Sequence, residues 1–177
     1  MTDTALFQVG LEAAKTINYR HGTSYFWATL LFPREIRDAV HILYAFFRIP
    51  DEIVDNAKDS AVETISHNLQ EWFKKWQQAY QSQKSTEPVL YASSVVFHRY
   101  KIPFEYSEVF FQAMKQDLHQ TRYQTYADLE KYMYGSAAVV GLMLSYVIGF
   151  SDTNALVYAT KLGYAMQLTN FLRDIDE

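Results

Sequence analysis

The sequence predicts an all-α fold, and three observations carry that prediction. Only six glycines and four prolines occur in 177 residues, so tight turns are few. All four prolines, Pro33, Pro50, Pro88 and Pro103, stand where a helix would begin or bend. Alternation of the strand type is scarce. With 49% apolar and 16% aromatic residues, the chain can bury one sizeable core, and 1–177 is read as a single domain.

Taken in order, the first helix is expected over Thr4–Tyr19 and the second over His21–Leu31. A third follows over Pro33–Ile49, with Pro33 in the first turn, where its missing N–H costs nothing. Proline inside a helix costs about 3 kcal/mol, so Pro50 predicts a kink or a fresh start, written as Pro50–Asn56. Ala61–Gln81 is the next helix, with Trp72, Phe73 and Trp76 at core-packing spacing. The stretch "SQKSTEPV" is the clearest linker. Beyond it come Pro88–Tyr100, Pro103–Thr121, Tyr126–Gly149 and a last helix from Thr153 to the end. Gly135 and Gly141 are read as points of close helix approach or of space for a bound chain. No solenoid repeat or low-complexity segment is visible.

Net charge is −4, from 20 acids against 16 bases, so no global field draws the chain to nucleic acid, and any anion affinity must be local. Without cysteine there is no disulfide, thiolate metal site or cysteine nucleophile. The N-terminus lacks a basic region followed by an apolar run, so it does not read as a secretory signal, and a cytoplasmic setting is expected. The uncharged run Tyr132–Ser151 reaches membrane-spanning length. Its glycines, serines and tyrosines, and the amphipathic "DLEKYMY" before it, favour instead a buried helix lining an apolar cavity.

Two helix faces carry candidate chemistry. Tyr44, Arg48, Asp51 and Asp55 fall at i, i+4, i+7 and i+11, nearly one line along a helix. Aspartates on adjacent turns suit a hard divalent cation such as Mg²⁺, which commonly bridges to phosphates, and Arg48 adds a planar fork for a phosphate or acid. A solvated charged face with an Arg48–Asp51 pair is the plainer alternative. In "QLTNFLRDIDE", Gln167, Asn170, Arg173 and Asp174 recur at helical spacing between Leu168, Phe171 and Leu172. If the two helices packed opposite each other, these faces would make a metal and diphosphate clamp.

These stretches carry a resemblance. "LLFPREIRDAVHILYAFFRIPDEIVD" resembles the first aspartate-rich motif of the squalene/phytoene synthase family, and "QLTNFLRDIDE" its second. "DLHQTRYQTYADLEKYMYGSAAVVG" is similar to the family's central segment, and "HGTSYFWATLLFP" resembles a diphosphate-holding segment. The resemblance implies a partial isoprenoid synthase-type helical bundle around a central apolar cavity, incomplete at the C-terminus. It also implies a head-to-head prenyl transferase: two prenyl diphosphates are joined through a cyclopropyl diphosphate, with Mg²⁺ (or Mn²⁺) assisting diphosphate release. Carried over, Asp51, Asp55 and Asp174 would bind metal, Arg48 and Tyr44 would contact diphosphate, and Ser24 and Tyr25 would flank its pocket. Tyr132 would donate near the reacting centre, and Asn170 and Arg173 would assist the second diphosphate. Partners implied are prenyl diphosphates and no nucleic acid, with peripheral membrane association for release of an apolar product.

The chain departs from the family pattern at several points. Counted from Asp174, the second motif's last acid would be residue 178, beyond the chain, and Asp176 is not its equivalent. Truncation is therefore expected, and the isolated 177 residues are expected to be inactive. Glu52 replaces a common aspartate, Gly22 and Thr23 stand where serine and lysine are usual, and Pro50 replaces a small helix former. His21, His41, His67, His98 and His119 are read as surface or core residues rather than metal ligands. Asp117 is read either as support for Arg122 or a bound chain, or as an ordinary salt-bridge partner. The resemblance implies phytoene synthesis from two geranylgeranyl diphosphates, a small Thr29 leaving room for the longer chain. The alternatives are squalene or dehydrosqualene synthesis from farnesyl diphosphate, squalene alone requiring NADPH, and a non-catalytic assembly factor of the same fold. A head-to-tail prenyl transferase or terpene cyclase fits the "YAFFR" and "NFLRD" lead-ins less well.

Overall fold

Helices account for all the regular structure among the described residues of the computed structural model, which are 2–55, 61–120 and 122–173. Thr2 caps α1 (Asp3–His21) by accepting from Ala5 N–H at 3.3 Å. A short α2 (Thr23–Thr29) ends in a tight turn at Leu30–Phe32 and leads into α3 (Arg34–Asp55). Two further helices, α4 (Val62–Ser82) and α5 (Pro88–Tyr100), complete the first of two compact units, 1–102.

The first unit is organised around Phe46 of α3. Its ring meets Trp76 at 4.7 Å, Trp72 at 5.2 Å and Phe97 at 5.4 Å between centroids, and Phe46, Trp76 and Phe97 are fully buried. This is the core expected from the Trp72, Phe73 and Trp76 spacing. Pro88 is the first residue of α5 as expected, whereas Pro33 and Pro103 stand just before their helices.

Pro50 corrects the sequence reading. The helix does not restart there; α3 runs unbroken from Arg34 to Asp55 with Pro50 inside it and buried. The missing backbone bond is local, while Ile42, Leu43, Phe46 and Pro50 together keep one face of α3 in the core. Burial of that face outweighs a penalty of about 3 kcal/mol.

The second unit, 103–177, contains α6 (Phe104–Asp117), α7 (Tyr126–Met133), α8 (Val139–Ile148) and α9 (Asn154–Arg173). Thr125 and Asp128 form a reciprocal capping box at the start of α7. The expected single helix over Tyr126–Gly149 is interrupted by a π-helical turn at Tyr134–Ala138. Small residues place that turn: a Cβ at Gly163 of α9 would sit 2.7 Å from the Ala138 Cα. On its other side, Gly135 lies against Val109 and Ala113 of α6, a close approach of the kind the sequence predicts. Tyr126–Ile148 is long and apolar enough to cross a membrane by length and composition. Met133, Val139 and Met143 within it are fully buried, which suits a core helix as well.

Candidate active site

In the first unit, the line of residues on α3 becomes a charge network. The Arg48 Nη1 donates to Asp51 Oδ2 and lies 3.7 Å from Asp55 Oδ2. Its Nε is 3.3 Å from Glu52 Oε1, near enough for attraction but not aligned as a hydrogen bond, so this buried N–H has no hydrogen-bond partner among the described residues. His21 Nε2 sits 3.0 Å from the same Glu52 Oε1. Three carboxylates thus share one guanidinium, and the network is acidic overall.

That imbalance shows in the proton affinities. Burial, then repulsion from Asp55, raises the Asp51 carboxyl above its ordinary value, although Arg48 pulls the other way. For Arg48, burial alone would lower the pKa, but Asp51, Glu52 and Asp55 together raise it. The two directions conflict for an isolated pair; they agree once three acids compete for one base. Tyr44, one turn earlier, is raised by burial, with Arg48 opposing.

Tyr44 explains Gly22. A Cβ at position 22 would fall 2.6–2.8 Å from the Tyr44 ring and hydroxyl, so the ring packs directly on the glycine backbone. Gly22 also links two helices, donating to the Asn18 carbonyl at 2.9 Å and accepting from Phe26 N–H at 2.7 Å. A missing serine therefore makes room for Tyr44. Ser24 and Tyr25 are exposed on α2, and Tyr25 is close enough to Tyr44 to raise its pKa further. Thr29 is buried, with its hydroxyl bonded back to the Tyr25 carbonyl at 2.6 Å.

No group of three potential metal ligands occurs among the described residues. Asp51 and Asp55 nevertheless fit a hard divalent cation in the way Mg²⁺ is usually held, by one or two carboxylates plus substrate oxygens. The fit rests on their charge: both reach the same arginine nitrogen, and a cation there would offset the burial and the Asp55 repulsion that together raise Asp51.

In the second unit, Tyr132 is buried, with the Asp117 carboxylate of α6 close enough to act on it electrostatically. Burial, then Asp117, pushes its pKa far up, so it remains a protonated donor. Its ring lies 5.1 Å from Tyr123, itself pushed up to about 12 by burial, and 6.4 Å from Phe171 of α9. Asp117 thus acts on Tyr132, a neighbour that sequence reasoning did not give it. On α9, Gln167 and Asn170 are half-buried and Arg173 is exposed. Asp174 lies outside the described residues.

Of the remaining histidines, His41 is buried with Nδ1 2.9 Å from Asn18 Nδ2, and burial lowers its pKa. A neutral ring accepting from the amide fits both facts. His98 stacks on Tyr80 and contacts its carbonyl at 2.9 Å. The network missed from sequence is His21 with Glu52, whose pairing depends on α1 meeting α3.

Comparison with known proteins gives a consistent result. The family model described as squalene/phytoene synthase matches residues 19–177. A 15-cis-phytoene synthase of Pantoea ananas is 32% identical over 86% of this chain and 51% of its own length. A phytoene synthase of Thermus thermophilus is 33% identical over 89% of this chain and 52% of its own. A crystal structure of a dehydrosqualene synthase in complex with ligand superposes with TM-score 0.82 at 26% identity, covering 97% of this chain and 59% of that one. The squalene synthase HpnC from Alicyclobacillus acidocaldarius shares the fold at TM-score 0.85 and 22% identity, over 96% of this chain and 63% of its own. The chain spans about half the length of the curated relatives it matches.

Proposed function

Because the chain belongs to the squalene/phytoene synthase family, we propose that it serves head-to-head prenyl transfer, joining two geranylgeranyl diphosphates to phytoene through a cyclopropyl diphosphate. The observation that carries this reading is the α3 network, in which Asp51, Glu52 and Asp55 converge on Arg48 beside Tyr44. The phytoene synthase relatives support the choice of substrate.

In this reading Asp51 and Asp55 hold Mg²⁺, or Mn²⁺ in its place, and Asp174 opens a second metal motif. The bound cation supplies neutralisation of the charge that develops as diphosphate leaves. Arg48 and Tyr44 bind and orient that diphosphate, with Ser24 and Tyr25 at its margin. Arg48 is suited to exchange a carboxylate for a phosphate oxygen because three acids already compete for it. Tyr132, kept protonated by burial and by Asp117, offers a neutral hydrogen bond without supplying a base that would quench a carbocation. Asn170 and Arg173 assist the second diphosphate. The setting is cytoplasmic, with peripheral membrane contact through which an apolar product leaves.

A second reading, dehydrosqualene or squalene synthesis from farnesyl diphosphate, is favoured by the likeness to a dehydrosqualene synthase structure; NADPH enters only for squalene. The test incubates the protein, in a form as long as its relatives, with Mg²⁺ and either diphosphate, and identifies extracted hydrocarbons by mass. A forty-carbon product lost in Asp51→Ala supports the first reading, and a thirty-carbon product moves it to the second. No hydrocarbon from the folded protein with either substrate refutes both and favours an assembly factor of the same fold.

A further inference from the structure

The corner where α2 turns into α3 carries a face that neither the aromatic core nor the carboxylate network uses. Trp27, Leu30 and Leu31 stand at i, i+3 and i+4, and a tight turn holds them together, with Leu30 N–H on the Trp27 carbonyl and Leu31 N–H on the Ala28 carbonyl, both at 3.2 Å. Trp27 is 59% exposed and Leu31 88%. The Phe26 ring continues this face, meeting Trp27 edge-on at 5.7 Å and Tyr19 at 5.2 Å, and Tyr19 at the end of α1 is itself exposed.

Bases lie next to this face in the sequence, Arg20 directly after Tyr19 and Arg34 three residues after Leu31. Arg20 makes no ion pair among the described residues, and Arg34 reaches only 3.8 Å from Asp38. The neighbouring acids are engaged elsewhere: Glu35 pairs with Arg99 at 3.1 Å, and Asp38 also faces Lys15 at 3.6 Å. A locally basic margin on a chain of net charge −4 is not an effect of composition. Exposed leucines, amphipathic aromatic rings, an unpaired Arg20 and an Arg34 that is 86% exposed and only loosely paired together match the chemistry of a bilayer interface with anionic headgroups.

We propose that Tyr19, Trp27, Leu30 and Leu31 form an interfacial anchor that docks on an anionic lipid bilayer, with Arg20 and Arg34 against the headgroup phosphates. This rests on the reading of peripheral membrane contact above and assigns the surface that makes it.

Trp27 is the reporter, because the other two tryptophans, Trp72 at 9% and Trp76 at 0% exposure, are in the core. Vesicles of phosphatidylcholine with phosphatidylglycerol should shift Trp27 emission to the blue, and brominated lipid chains should quench it. Leu31→Glu, at a position too exposed to alter the core, should weaken vesicle partitioning by about tenfold or more. Omitting phosphatidylglycerol or adding salt should weaken it further. Vesicle binding that leaves Trp27 emission unmoved and Leu31→Glu unaffected would overturn this surface while leaving membrane contact standing. Absence of any vesicle binding would overturn both, and the hydrocarbon assay would still judge the chemistry independently. Emission that is blue before lipid is added and reverts on dilution would give the face to a second copy of the chain and overturn the proposal.

Discussion

Replacing Arg48 by glutamine removes a guanidinium that three carboxylates share. At 3.3 Å to Glu52 and 3.7 Å to Asp55, each attraction is worth about 1 kcal/mol in the dielectric of water and about 4–5 kcal/mol at an effective dielectric of ~20. The side chains are only part-buried, so the lower figure applies. Removing Arg48 also recovers the desolvation that its position costs. The expected net loss at pH 7 is about 1–2 kcal/mol, roughly 3–6 °C in Tm for a chain of this size. The loss should vanish in acid, where the carboxylates are protonated and need no counter-charge. Arg48 also competes with a divalent cation for the same oxygens, so Mg²⁺ should stabilise Arg48→Gln more than the parent. Melting followed by circular dichroism, in acid and at neutral pH and with and without Mg²⁺, reads both effects. An unchanged Tm at neutral pH, or a variant that gains less from Mg²⁺ than the parent, would refute the reasoning.

Asp51→Asn should stabilise the fold at neutral pH in metal-free buffer. The folded carboxyl is raised above its unfolded value of 3.8, so the folded state holds the proton longer and the parent loses stability as pH rises through that window. Urea midpoints should show the gain at pH 7 and not near pH ~3. Gly22→Ala should push Tyr44 off the α1–α2 junction, given the 2.6–2.8 Å approach. It should cost about 1–3 kcal/mol in urea unfolding and change Mg²⁺-dependent diphosphate binding in calorimetry. Phe46→Ala empties the centre of the first unit's aromatic cluster and should cost about 3–5 kcal/mol, with loss of the near-ultraviolet dichroism of Trp72 and Trp76.

Much of this was legible in the chain because it depends on local rules. Few glycines, prolines at helix starts and the Trp72–Trp76 spacing fix helices whatever they later pack against, and the Arg48 line follows from one helix's own periodicity. The fresh helix start at Pro50 was misread for the converse reason: local propensity marks it as a break, but the burial of α3 is a tertiary quantity. The pairing of His21 with Glu52 and the influence of Asp117 on Tyr132 were illegible because each joins different helices. In sequence Gly22 read only as a departure from the usual serine, and only the Tyr44 ring packed on it shows what the missing side chain accommodates.

The π-helical turn at Tyr134–Ala138 has a consequence for phase. An α-helix advances about 100° per residue, and a π turn accommodates one residue more than the α-helix does. The segment before it, which carries Tyr132, is therefore set out of step with α8 by about that angle. Tyr132 can face Asp117 while Val139, Leu142 and Met143 keep their own buried side. Deleting a single residue within 134–138 would restore a plain α-helix and bring the two stretches into one phase. Tyr132 and the apolar face of α8 would then compete for the same direction, so a one-residue deletion here should do more harm than most substitutions.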